Sequence, residues 1–193
     1  MTHVSIALLR TMAEFDLAFE DDDDRGTEFE RAPSARTNAN AALRIHALRG
    51  DASIAPHHLR NAADPYTDDG RALTIYADAH GTEYWYDPER DAIVHAGPGP
   101  GGDPTPPATR PADRLPVAEL RAIAETYATR MLADFPGRKA SLHPLEDNLR
   151  RDLYFFRWDD LSRPCAESEM PPFLQVAVRA NGAFHSCTCT LGR

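Results

Sequence analysis

Apolar positions recur at steps of three and four in three stretches of the chain. Val4, Leu8, Met12, Phe15 and Phe19 form one stripe and predict a helix from about His3 to Glu20, ended by the like charges Asp21 to Asp24. Ala41, Ala42, Ile45 and Leu48 predict a shorter helix over 38–48, stopped by Arg49-Gly50 in the manner of a glycine cap. The longest stripe opens after Pro116 and runs through Val117, Leu120, Ala124, Tyr127, Met131 and Phe135, with Pro136-Gly137 as its stop.

Elsewhere the period drops to two. Ala72 to Ala77, Thr82 to Asp87 and Ala92 to Ala96 read as three strands of a meander, turned at His80-Gly81 and at Pro88-Glu89-Arg90-Asp91. His57-His58, following Pro56, reads as a surface turn. After the long helix come Lys139 to Leu145 (an edge strand, because of Pro144), Asp152 to Trp158, Phe173 to Arg179 and Ala183 to Leu191. Asn181-Gly182 joins the last two as a hairpin. The run from Gly97 to Pro107 supports neither a helix nor a central strand. These elements predict an α+β protein with a helical and β-meander region at 1–97, a Pro/Gly-rich linker at 98–114, and at 115–193 an amphipathic helix packed on a curved four-stranded antiparallel sheet.

Alternation along Tyr154-Phe155-Phe156-Arg157-Trp158 assigns Tyr154, Phe156 and Trp158 to the face that meets the long helix. Phe155 and Arg157 fall on the other face. Aromatics and Arg are enriched at binding hot spots, so if that face stays exposed Phe155, Arg157, Phe173 and Gln175 are the candidate partner surface. Edge strands offer a second route, by strand addition.

The helix ending in Phe135-Pro136-Gly137, the aromatic strand through Asp159, the strand Phe173 to Val178 and the Asn181-Gly182 hairpin together resemble the PepSY family, named for peptidase propeptides. The resemblance covers roughly residues 115 to 190. Tyr84 to Val94 resembles the closing hairpin of such a unit, as if a decayed first copy preceded a clearer second one. The resemblance implies a helix across a small antiparallel sheet, of PepSY or cystatin type, and a non-catalytic module that binds or inhibits a peptide or peptidase. It implies no catalytic residue.

Charge narrows the partners. A formal net charge of −9 disfavours nucleic acid, whose phosphates reward clustered cations, and favours a basic protein or peptide. No segment reaches the roughly 20 apolar residues that span a bilayer, and the first residues lack a secretory pattern, so a cytoplasmic protein without membrane contact is expected. A homo-oligomer is compatible with the amphipathic stripes. No cofactor is expected. Asp21 to Gly26 lacks the ligand spacing of a calcium loop.

One set of residues could carry chemistry. His185, Cys187 and Cys189 alternate on one strand face, and Cys165 from the preceding loop completes four ligands of a kind zinc accepts. Strand residues two apart lie about 6.5–7 Å from each other, which opposes convergence on one ion. The alternative to a binding module is therefore a small zinc- or thiol-dependent enzyme using Cys187, Cys189 and His185. Without metal, both cysteines read as small buried hydrophobes.

Overall fold

In a computed structural model the described residues are 32–65, 71–100, 109–150, 152–162 and 170–192. The helix expected over 3–20, the acidic run 21–24, Cys165 and the centre of the Pro/Gly stretch lie outside them. Helix α1 (Ala35–Arg49) opens on Ser34, whose hydroxyl accepts from the Thr37 amide, and closes on Gly50 at φ 66°. Strands β1 (His57–Ala63), β2 (Ala72–Ala77), β3 (Thr82–Asp87) and β4 (Ala92–Pro98) follow. The second half has α2 (Val117–Met131), the short α3 (Phe135–Arg138), and strands β5 (His143–Arg150), β6 (Leu153–Asp159), β7 (Phe173–Arg179) and β8 (Phe184–Cys189).

All eight strands join one antiparallel sheet in the order β1-β2-β3-β4-β8-β7-β6-β5. The expectation of a four-stranded sheet under the long helix is thus corrected. The last strand of each half pairs with the other through His95 opposite Thr188 and Ala96 opposite Cys187. Gly97 permits this approach, because a Cβ there would sit 3.0 Å from the Ser186 Cβ. Among the described residues each half runs from helix to four strands, so the two strand orders meet as mirror images at the β4–β8 seam.

Strand β1 also corrects the reading of His57-His58 as a surface turn, since His57 lies opposite Ala77 and His58 opposite Tyr76. The long helix is shorter than its stripe. Leu132 leaves helical geometry (φ −133°, ψ 100°), and the break lets Phe135 turn inward to meet the Trp158 ring at 4.8 Å between centroids. Val117, expected on the buried stripe, is 43% exposed, whereas Leu120, Ala124 and Ala128 are fully buried. The two alanines bring α2 close to the sheet. At the β7–β8 turn Gly182 takes φ 83°, where a Cβ would also strike Ile123 Cδ1 at 2.8 Å. The main core lies between the helices and one sheet face: Ile45 and Leu48 of α1, Leu120 of α2, and Tyr84, Phe156 and Val176 of the sheet all belong to it. Among the described residues no helix is long and apolar enough to cross a membrane.

Candidate functional site

Period-two alternation sends the remaining strand residues to the sheet face away from α1 and α2. Cross-strand register lines up one row there: Ile75, Trp85, His95, Thr188, Gln175 and Arg157. All four candidate binding residues, Phe155, Arg157, Phe173 and Gln175, lie on this face, as alternation predicts. None of them is open to solvent, with exposures between 1% and 9%.

The row is polar at its centre and aromatic toward its ends. The Trp85 and His95 rings lie 5.0 Å apart between centroids. His95 Nδ1 is 2.9 Å from Thr188 Oγ1 across the seam. Trp85 Nε1 donates to Glu83 Oε2 at 3.4 Å, and both terminal nitrogens of Arg60 donate to the Glu83 carboxylate at 3.1 Å. A guanidinium held this way by two parallel bonds is fixed in orientation as well as in place. At the other end Arg157 Nε donates to Asp159 Oδ1 at 2.5 Å, and the guanidinium stacks over Phe173 at 3.9 Å from its centroid. Met170 Sδ takes a longer contact from Arg157 Nη1 at 3.8 Å. Arg157 is therefore a positioned cation with its charge balanced inside the fold.

Gln175 breaks the pattern of satisfied polar groups. Its Oε1 is buried and has no hydrogen-bond partner among the described residues. It sits between Thr188 and Arg157 in register, at the middle of the row. Sequence alternation places Gln175 on this face. Nothing in its local sequence marks the missing partner, which depends on strands brought together from distant parts of the chain.

The alternative cysteine site is arranged differently. Cys187 and Cys189 point toward the helices, opposite Val176 and Leu174, and belong to the main core. Burial, with a smaller contribution from Cys189, pushes the Cys187 thiol well above its ordinary pKa, away from the thiolate that nucleophilic or metal chemistry needs. His185 Nδ1 lies 3.1 Å from its neighbour Ser186 Oγ. Among the described residues no three His, Cys, Asp or Glu side chains are grouped to hold a metal ion. Cys165 is outside those residues.

Two tyrosines and a carboxylate brace the first half on the helix side. The Tyr84 hydroxyl donates to Asp78 Oδ2 at 2.8 Å, while the His80 and Thr82 amides donate to Asp78 Oδ1 at 2.8 and 3.1 Å. Burial opposes ionisation of Asp78, but these three donors outweigh it and hold its carboxyl below the usual range. Burial pushes the Tyr76 phenol up to about 12, and its hydroxyl donates to Asn38 of α1 at 2.8 Å.

No family model matches the chain, and neither the curated proteins nor the solved structures include a significant match.

Proposed function

We propose that the chain is a non-catalytic protein- or peptide-binding module that uses the sheet face opposite its helices. The observation that carries the reading is the Gln175 carbonyl oxygen. A buried acceptor without a donor costs about 1–3 kcal/mol. A partner that presents an N–H to this oxygen recovers that cost on binding, and Arg157 and Phe173 near it, with Trp85 three strands along the same row, are residue types that anchor interfaces. The net charge of −9 favours a basic partner. The resemblance of residues 115–190 to the PepSY family supports the same class of role, inhibitory or accessory, within a PepSY-like or cystatin-like second half. Against the zinc or thiol alternative stand the core position of Cys187 and its raised pKa.

The test compares immobilised full-length chain with its Gln175→Leu variant for proteins retained at low and at moderate salt. The expected result is a basic partner held reproducibly by the native chain and at least tenfold more weakly by the variant, whose thermal midpoint is equal or higher. Equal retention by both chains, or no reproducible partner at either salt, rejects the reading.

A further inference from the structure

Arg157 is 5% exposed, and its guanidinium meets a different neighbour in each direction. Nε donates to a carboxylate oxygen, Asp159 Oδ1, at 2.5 Å, and the guanidinium carbon lies over the Phe173 ring at 3.9 Å from its centroid. Nη1 donates to Met170 Sδ at 3.8 Å. A thioether is a weak acceptor. One N–H of a buried cation is therefore turned to a soft atom, where an oxygen would bond more strongly.

The backbone holds Met170 at this place. Met170 precedes Pro171-Pro172, and each proline restricts both itself and the residue before it to extended geometry. The Pro172 carbonyl accepts from the Asp160 amide at 2.8 Å, which ties the segment to the end of β6. Strand β7 begins at the next residue, Phe173, whose ring lies under the guanidinium. Met170 is itself partly exposed, so it borders solvent on one side and a buried cation on the other.

We propose that Met170 is an oxidation site whose product, the sulfoxide, is held by Arg157. The oxidant is a peroxide. A sulfur lone pair attacks one oxygen of hydrogen peroxide, the S–O bond forms as the O–O bond breaks, and the departing hydroxide takes the proton of the transferred oxygen and leaves as water. Sulfur gives up two electrons and the peroxide gains them. The new oxygen is a strong acceptor on Sδ, and the three rotatable bonds of the side chain let it turn toward Nη1 without movement of the backbone.

Met131, the other described methionine, provides the contrast. It packs against the main core, so an oxygen added there meets apolar neighbours and destabilises. The same chemistry has opposite signs at the two positions because only one of them faces a guanidinium. Reduction restores the thioether, so the link between Arg157 of β6 and the approach to β7 has a weak form and a strong form. The proposal goes beyond the binding reading and does not depend on it.

The test uses the full-length chain in its native form and as Met170→Gln and Met170→Leu. Glutamine places an oxygen acceptor on a side chain of similar length and stands in for the sulfoxide, whereas leucine offers no acceptor. Met170→Gln is expected to raise the thermal midpoint above the Met170→Leu value by about 2–4 °C. After limited treatment of the folded chains with hydrogen peroxide, peptide mass spectrometry is expected to find the Met170 sulfoxide. The change in midpoint on treatment is expected to be more positive in the native chain than in Met170→Leu, again by about 2–4 °C. That comparison cancels oxidation at the other methionines. A methionine sulfoxide reductase is expected to abolish the difference. Absence of Met170 sulfoxide from the folded chain, a change on treatment no more positive than that of Met170→Leu, or a Met170→Gln midpoint at or below that of Met170→Leu overturns the proposal.

Discussion

Replacing Gln175 with leucine removes a buried, unpaired carbonyl oxygen from the middle of β7 and puts an aliphatic group of similar volume in its place. Gln175 lies opposite Thr188 on one side and Arg157 on the other. Its Oε1 has no described partner, so the substitution forfeits no hydrogen bond at that atom and removes a desolvation cost of about 1–3 kcal/mol. Some of this gain is lost to imperfect fit, since a branched side chain replaces a straight one in a packed row, commonly a loss below about 1.5 kcal/mol. The expected net effect is stabilisation by about 1 kcal/mol. With a urea m-value of about 2 kcal/mol/M, the midpoint rises by about 0.5 M and m is unchanged. The same change raises Tm by about 2–4 °C for a chain of this size. Gln175→Ala serves as the control, because it removes the same oxygen but leaves a cavity and is expected to fall below leucine. A urea midpoint for Gln175→Leu below the native one shows that the oxygen is paired in solution. The binding role of this face then loses its main support.

Three further outcomes follow from neighbouring geometry. Arg157→Met leaves Asp159 buried without its cation and is expected to cost about 3–5 kcal/mol, whereas replacing both residues with apolar ones restores most of the loss; equilibrium unfolding of the single and double variants measures this. Asp78 has a depressed folded pKa, so its contribution is complete above the ordinary carboxylate range and disappears as pH falls through the folded value. Urea midpoints from pH 7 down to pH 3 are expected to fall less steeply for Asp78→Asn than for the native chain. Cys187, buried and with its thiol pKa raised, is expected to react with an aromatic disulfide reagent at pH 8 only as fast as the chain unfolds, a rate that a thiol assay in increasing urea reads directly.

Much of this architecture is written locally, and the parts that are not share one cause. Alternation along Tyr154 to Trp158 separates the two faces of β6 correctly, and the apolar steps of α1 together with Gly50 mark that helix to within a few residues. Strand β1 escapes notice because His57-His58-Leu59-Arg60-Asn61-Ala62-Ala63 is poor in β-formers and weakly alternating. It is held by its register with β2. The pairing of β4 with β8 leaves no local sign at all, so eight strands read as two smaller groups. The stripe of α2 continues past the real helix end because Phe135 keeps the right spacing, while Leu132 breaks the helix and Phe135 reaches Trp158 from a separate turn. Face assignment for Phe155, Arg157, Phe173 and Gln175 follows from sequence; their burial does not.

The seam between β4 and β8 sets an order of events during synthesis. Strand β4 is complete at Pro98, but the strand that closes its edge begins at Phe184. At roughly 5–20 residues per second, a ribosome needs about 4–17 s to make the chain between them. For that interval the first four strands present an unpaired backbone edge, of the kind that recruits other chains. Gly97 and Pro98 lie at the end of that edge and offer little to a foreign strand: one has no side chain and the other no N–H. A nascent chain that stalls before Phe184 therefore leaves this edge open, and pairing with β8 closes it.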